Sequence, residues 1–131
     1  MTSASPVELA RPEGDPALLL LCDHASNAVP PEIGPLGLSE ADMARHIAWD
    51  VGARGVTLAL SDIFDAPAVL TRFSRLVIDP NRGEDDPTLV MKLYDGSIIP
   101  GNRDAGPEEV ARRLDRYWRP YHAAVDAAID R

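Results

Sequence analysis

An apolar run that ends abruptly in polar residues stands near the start of the chain: Ala17-Leu18-Leu19-Leu20-Leu21-Cys22-Asp23-His24-Ala25-Ser26-Asn27. The run is too short for a membrane span, which needs roughly 20 apolar residues. A short run between polar flanks is typical of a strand that is buried on both faces, as in a parallel sheet. Ligands of open α/β sheets bind beyond the carboxyl ends of the strands, so residues 23–27 form the first candidate site.

The rest of the pattern predicts an α/β fold with a mixed sheet. Residues 1–16 carry three prolines and no periodicity, which predicts a flexible arm, and residues 17–131 are expected to form a single α/β domain. Within that domain the spacing predicts a helix from Ser39 to about Asp62, strands over 66–71 and 75–78, a long loop over 82–106 and a final helix from Pro107. Gly52 and Gly55 weaken the helix pattern and mark either a close helix crossing or a helix end near Gly55.

The composition excludes several classes of partner. The chain has 131 residues, enough for one core, and its 21 acidic side chains outnumber the 13 basic ones, giving a net charge of −8. Such a chain is repelled by nucleic acids and by anionic membranes, so neither is expected as a partner. A single cysteine, Cys22, and a polar N-terminus without a signal-peptide pattern predict a cytoplasmic location.

A second polar cluster, Asp79-Pro80-Asn81-Arg82, follows the predicted strand over 75–78. The planar guanidinium of Arg82 is suited to binding a carboxylate through two parallel hydrogen bonds, and Arg72, Arg75 and Arg103 are further candidates for the same pocket. Because these arginines stand out on an acidic chain, they predict a small anionic ligand. The alternative is a set of solvated arginines in which an Asp–Arg pair braces the loop.

His24 is the first cluster's candidate for metal binding or general-base chemistry. Asp23 could orient its ring, although adjacent residues at a strand end tend to point apart, and Asn27 could place an amide oxygen nearby. The alternative is that these side chains only cap the following turn. His46 and Asp50 stand four residues apart on the predicted helix, as either a catalytic pair or a pair that braces the helix.

Four segments in this order resemble the N-formylglutamate amidohydrolase family: Leu20-Leu21-Cys22-Asp23-His24-Ala25-Ser26-Asn27-Ala28-Val29-Pro30, His46-Ile47-Ala48-Trp49-Asp50-Val51-Gly52-Ala53, Ser74-Arg75-Leu76-Val77-Ile78-Asp79-Pro80-Asn81-Arg82 and Ile99-Pro100-Gly101-Asn102-Arg103. The resemblance covers roughly residues 17–125. The family hydrolyses the amide of N-formyl-L-glutamate, or of related N-acyl amino acids, to the free amino acid and formate. The resemblance therefore implies a small anionic N-acyl amino acid as the ligand.

The same resemblance implies a fold and a set of site residues. The fold would be a three-layer α/β architecture with a mixed, mostly parallel sheet, like that of zinc exopeptidases and deacylases, truncated to the N-terminal half of the family's domain. His24 and Asn27 would bind a divalent metal ion, expected to be zinc, with Asn27 at the position where the relatives have a glutamate ligand. Asp23 and His24 would be catalytic, and the substrate's carboxylate would be bound by Arg82 with Asn81 beside it. Arg75 and Arg103 are added to the predicted substrate-binding residues as candidates for the same pocket from their charge and position.

Three functions remain open at this point. The first is an amidohydrolase that activates water with a metal ion. The second is a catalytically incomplete module that binds N-acyl amino acids. The third is a half-domain that pairs with a partner chain or forms a homo-oligomer, because a missing half would leave apolar surface exposed.

Overall fold

The computed structural model describes residues 5–131, and the prediction for residues 1–4 lies outside them. The strands are β1 (Val7–Ala10), β2 (Leu20–Cys22), β3 (Ala68–Thr71), β4 (Leu93–Tyr94) and β5 (Ser97–Ile98). The helices are α1 (Glu40–Met43), α2 (Ala53–Phe64), α3 (Pro107–Arg113) and α4 (Arg119–Ile129). A 3-10 turn at Pro100–Asn102 precedes α3, and a π-helical turn at Leu114–Trp118 joins α3 to α4. None of the helices within 5–131 combines the length and the apolar character that crossing a membrane requires.

The central sheet has three strands in the order β1-β3-β2 and is mixed, as predicted. β2 runs parallel to β3, and β1 runs antiparallel to β3 on the other side. One of the two strand pairs is antiparallel, so the sheet is not mostly parallel. The antiparallel strand, β1, comes from residues that the sequence analysis assigns to a flexible arm. That assignment is wrong for residues 7–10, which pair along the whole of β3. β4 and β5 form a separate hairpin within the predicted long loop.

Helices cover both faces of the sheet, which gives three layers. All four residues of β3 are buried, and alternate side chains point to opposite faces. Ala68 and Leu70 pack with Leu58 of α2 on one face. Val69 packs with Tyr121 and Val125 of α4 on the other face. This arrangement explains the continuous apolar run of the strand.

The predicted helix from Ser39 to Asp62 is two helices. Ser39 caps α1 as expected, since its Oγ accepts a hydrogen bond from the backbone amide of Asp42 at 3.1 Å. The chain then leaves the helix until Gly52, whose φ of 82° lies in the left-handed region that glycine adopts without strain. α2 continues through Gly55. The connection over residues 44–52 carries Asp50 towards the end of β2.

Residues 73–80, the buried segment, are irregular, so the predicted strand over 75–78 is wrong. Seven of the eight residues are buried. Buried backbone groups need hydrogen-bond partners, and side chains or loops from distant parts of the chain supply them here. Ala28 and Leu89 accept from the amides of Ser74 and Asp79, while Asn102, Arg113 and His122 donate to the carbonyls of Leu76, Val77 and Pro80.

Asn102 and Arg113 form a buried polar pair beneath this segment. The amide nitrogen of Asn102 donates to the carbonyls of Leu76 and Met91, both at 2.8 Å, and its Oδ1 accepts from Nη1 of Arg113 at 2.7 Å. Burial lowers the pKa of Arg113. Gly101 is required beside this pair because a Cβ there would lie 2.5 Å from Cα of Leu36. The motif over residues 99–103 thus anchors the buried segment through Asn102.

We expect Asn102→Ala to lower the free energy of unfolding by about 3 kcal/mol, because it leaves two carbonyls and part of a buried guanidinium without partners. Chemical denaturation monitored by circular dichroism measures the change. Arg103→Ala is the matched control, since Arg103 is the exposed neighbour, and it should change stability by less than about 0.5 kcal/mol. Equal losses in the two variants would contradict an anchoring role for Asn102.

Candidate active site

The candidate site lies where β2 and β3 end. Thr71, the last residue of β3, ties the two strand ends together through its hydroxyl group. That hydroxyl donates to the carbonyl of Asp23 and accepts from the backbone amide of Ala25, both at 3.1 Å. The position of residues 23–27 is therefore fixed by the neighbouring strand.

Asp23 and His24 point in opposite directions, as the geometry of a strand end dictates. Oδ1 of Asp23 accepts a hydrogen bond of 2.5 Å from the hydroxyl of Tyr121 on α4. Burial and this bond to Asp23 raise the pKa of Tyr121 above its usual range, so the phenol keeps its proton. Asp23 therefore holds α4 to the end of β2, and other carboxylates contact the ring of His24.

The imidazole of His24 is buried between two carboxylates. Its Nε2 lies 2.7 Å from Oδ1 of Asp79, which is only 1% exposed, and its Nδ1 lies 3.3 Å from Oδ2 of Asp50. The side chain of Asp50 is more than half exposed. The Nε2 edge of the ring is thus enclosed by protein, whereas the Nδ1 edge lies beside a carboxylate that is open to solvent.

Two arginines complete this cluster. Arg75 donates through Nη2 to Asp79 at 3.2 Å and through Nη1 to Asp50 at 3.5 Å, and its guanidinium lies 5.0 Å from the centre of the Tyr94 ring. Arg82 donates through Nε to the same oxygen of Asp79 at 3.2 Å and through Nη1 to Thr88. Two guanidinium groups and two carboxylates therefore lie together beside His24.

Asp79 stays ionised in this setting. Burial alone opposes its ionisation, but the hydrogen bonds from His24 and from the backbone amide of Asn81, together with the charges of His24 and Arg75, outweigh that effect. The pKa of Asp79 therefore lies below its usual range. An ionised carboxylate at this point can accept a strong hydrogen bond from His24 and orient the ring.

The structure brings some of the predicted site residues together and separates others. His24, Arg75 and Arg82 meet at Asp79, with Asn81 exposed beside them. Asn27 is directed elsewhere, because its amide nitrogen donates to the carbonyl of Met43 at 2.9 Å.

Arg103 is exposed where the 3-10 turn ends, next to the buried Asn102. A cleft of about 360 Å³ opens next to Asn27, lined by Glu8, Ala25, Ser26, Asn27, Trp49, Arg54, Thr71 and Arg72.

Sequence reasoning missed that Asp50 and Asp79 are the partners of His24. The alternative of an Asp–Arg pair that braces the loop agrees with the contacts of Asp79 to Arg75 and Arg82, but no sequence pattern predicts its contact with His24. The predicted pair of His46 and Asp50 is not formed, because His46 lies 2.9 Å from Asp95 of the β4–β5 hairpin. No spacing along the chain predicts the contact between the side chains of Asp50 and His24. That contact depends on the fold, in which the backbone amide of Asp50 donates to the carbonyl of His24 at 3.0 Å.

The donor set fits a metal ion only in part. A neutral imidazole with a carboxylate beside it is a common pair of zinc ligands. In the part of the chain from residue 5 onwards, no three His, Cys, Asp or Glu side chains are gathered as a ligand set. The two carboxylates beside His24 are thus not placed to hold a metal ion together with it.

Comparison with known proteins confirms the family resemblance. A family described as N-formylglutamate amidohydrolase matches residues 16–131. An N-formylglutamate deformylase of Pseudomonas putida is 36% identical over 76 residues, which is 50% of this chain and 28% of that protein.

Two solved structures share the fold. A gene product of Agrobacterium tumefaciens superimposes with a TM-score of 0.92 at 36% identity, covering 97% of this chain and 50% of that one. The N-formylglutamate amidohydrolase of Ralstonia eutropha gives a TM-score of 0.71 at 27% identity, covering 97% and 51%. The chain thus spans about half the length of these structures.

We expect Asp79→Asn to lower the free energy of unfolding by about 2 kcal/mol at pH 7, because His24 and two arginines lose an ionic partner. The pKa of Asp79 is lower in the folded protein than in the unfolded chain. The ionised carboxylate therefore stabilises the fold fully above the usual carboxyl pKa, and this contribution is lost as the pH falls through the pKa of the folded state. The stability difference between wild type and variant should therefore shrink below about pH 4. Urea denaturation from pH 7 to pH 3 measures it.

Asp126→Asn, an exposed carboxylate on α4, is the control and should follow the wild type at each pH. A wild-type advantage that stays constant down to pH 3 would contradict the assignment of an ionised, depressed Asp79.

Proposed function

Because the chain belongs to the N-formylglutamate amidohydrolase family, we propose that its site serves hydrolysis of the amide bond of N-formyl-L-glutamate or a related N-acyl amino acid. The products would be the free amino acid and formate. The observation that carries the proposal is the cluster of His24, Asp79, Arg75 and Arg82 at the strand ends. It combines an oriented imidazole with cationic groups that suit an anionic substrate.

Arg82 is the residue that we assign to the substrate's carboxylate. Its Nε and Nη1 atoms are engaged by Asp79 and Thr88, which fixes the plane of the guanidinium and leaves Nη2 for a ligand. The side chain of Arg82 is 26% exposed, so a small molecule can reach it. Asn81, exposed next to it, is assigned to the same role.

Arg75 acts mainly on the cluster itself. Both of its Nη atoms bind carboxylates, and its side chain is 12% exposed. Within residues 5–131 its buried Nε has no hydrogen-bond partner, and its guanidinium lies against the Tyr94 ring, so Arg75 is assigned to the substrate only through the charge that it brings to the cluster. Arg103, exposed at the 3-10 turn, is a further candidate for the substrate's anionic end.

His24 is the residue that we assign to a divalent metal ion, zinc by family resemblance. When bound, such an ion polarises an amide carbonyl and lowers the pKa of a bound water. The contribution of the chain is to fix the ring: Asp79 holds Nε2, and the buried segment holds Asp79. This arrangement supports a fold of the zinc-exopeptidase and deacylase kind as the finer assignment within the α/β class.

Binding without turnover is the second candidate function. It is favoured because, within residues 5–131, no three His, Cys, Asp or Glu side chains are placed so that they could hold a metal ion together. An N-acyl amino acid would then bind through Arg82 and Asn81, while completion of the catalytic centre would require ligands from another polypeptide segment.

We expect Arg82→Ala to raise the Kd for N-formyl-L-glutamate about 30-fold, because loss of one partner of a charge pair costs about 2 kcal/mol or more. Isothermal titration calorimetry on the 131-residue chain measures this, and a formate-release assay on the same samples separates hydrolysis from binding alone. Arg11→Ala is the control, since Arg11 is an exposed arginine that pairs with Asp62 and Asp65 at the opposite end of the sheet. Equal affinity of wild type and Arg82→Ala would contradict the proposed role.

A further inference from the structure

We propose that Trp118 and His122, the ring pair, are positioning residues for Arg82. Their ring N–H groups hold the backbone of residues 80–82 and so set the direction in which the guanidinium of Arg82 points. The inference rests on the proposed function for the role of Arg82 in binding a carboxylate, and on geometry for the placement of Arg82. It assigns a part in ligand binding to side chains that lie outside the cluster around His24.

Two hydrogen bonds join the ring pair to the loop that carries Arg82. Nε1 of Trp118 donates to the carbonyl of Arg82 at 3.0 Å, and Nε2 of His122 lies 2.9 Å from the carbonyl of Pro80. A carbonyl oxygen can only accept a hydrogen bond, so this contact requires the proton of His122 to be on Nε2. The carbonyls of the residues on either side of Asn81 are thus both held.

The two rings also support each other. Their centres lie 3.9 Å apart with 35° between the ring planes. Residues four positions apart on a helix lie on the same side of it, which brings the rings together. Trp118 packs in addition against the buried cluster that contains Phe73 and Tyr117. Each ring therefore has few orientations open to it, and the direction of its N–H is fixed.

Pro120 explains the local shape of the helix at the ring pair. Proline has no backbone N–H, so it cannot form the usual hydrogen bond to the carbonyl four residues before it. The amide of Arg119, the residue before Pro120, bonds to the carbonyl of Leu114, five residues back, which closes the π-helical turn. Such turns shift the register of a helix by one residue and are frequent at functional sites. Here the turn ends at Trp118, the first member of the ring pair.

The orientation of Arg82 depends on the path of its loop. Its Nε donates to Oδ2 of Asp79 at 3.2 Å, and its Nη1 donates to Thr88. Asp79 is buried, whereas Thr88 is exposed and lies on the same loop as Arg82. Without the ring pair the loop would lose two of its fixed points, and the guanidinium would adopt more orientations. A side chain that its ligand must first immobilise binds that ligand more weakly.

The test compares variants that keep an aromatic ring but lose its N–H. Trp118→Phe and His122→Phe should each raise the Kd of the 131-residue chain for N-formyl-L-glutamate about fivefold, the factor that corresponds to about one neutral hydrogen bond. Isothermal titration calorimetry measures the Kd, and circular dichroism checks that each variant is folded at the assay temperature. Trp49→Phe is the matched control, because the indole of Trp49 donates at 3.2 Å to the carbonyl of Ala44, which lies outside residues 80–82. It should leave the Kd within about twofold of the wild-type value.

Two further variants separate positioning from a general loss of structure. The amide nitrogen of a glutamine can donate from nearly the same place as Nε2 of a histidine, so His122→Gln should bind within about twofold of the wild type. In an Arg82→Ala background, Trp118→Phe should change the Kd by less than about twofold, because the side chain that the ring positions is absent. A substitution that only loosened the fold would weaken binding by the same factor in both backgrounds.

A third measurement needs no ligand. The Nε–H signal of Arg82 in ¹H–¹⁵N spectra, identified by its absence in Arg82→Ala, should exchange with water faster in both phenylalanine variants than in the wild type. The Nε–H signal of Arg54, which Glu8 binds at 2.9 Å, is the internal reference and should not change.

Three results would overturn the inference: an unchanged Kd and an unchanged exchange rate in both phenylalanine variants, binding by His122→Gln as weak as that by His122→Phe, or equal weakening by Trp118→Phe with and without Arg82. Failure of the wild type to bind N-formyl-L-glutamate would overturn the proposed function instead. The exchange of the Arg82 Nε–H would then decide the inference alone, since faster exchange in the variants supports it and unchanged exchange contradicts it.

Discussion

The buried segment over residues 73–80 is the constraint on which the site depends. An irregular backbone can be buried only if its amides and carbonyls find partners. Asn102 and Arg113 supply two of these partners from the 3-10 turn and from α3, and His122 supplies another from α4. The helices that follow the segment in sequence thus fix its path, and the path fixes Asp79.

The chemistry of the cluster follows from that placement. An ionised carboxylate with 1% exposure beside an imidazole fixes the ring more firmly than an exposed one would, because water competes little for its hydrogen bonds. Arg75 and Arg82 balance the charge of Asp79 and extend towards the surface. The cluster is therefore buried and ionic at Asp79 and accessible to solvent at Asp50 and Arg82. The proposed small anionic ligand would approach at this accessible edge, beside the oriented histidine.

The sequence predicted the parts of this structure that depend on local pattern. The strand ending at Cys22, the cap at Ser39 and the final helix all carry signals within a few residues of one another. β1 has no such local signal, because its four residues, flanked by prolines, form a strand only by pairing with β3. The run over 75–78 has the composition of a strand, but distant side chains bind its carbonyls. The partnership of His24 with Asp79 and Asp50 joins residues 55 and 26 positions apart, and only the folded chain reveals it.

Long-range ¹H–¹⁵N spectra of the imidazole at neutral pH show directly which nitrogen of the His24 ring carries a proton. We expect a proton on Nε2 with a downfield shift and slow exchange, held by Asp79. The exposed His46 provides the reference for fast exchange in the same spectrum. An unprotonated Nε2, or a proton on Nε2 that exchanges as fast as those of His46, would contradict the claim that the buried segment orients His24 through Asp79.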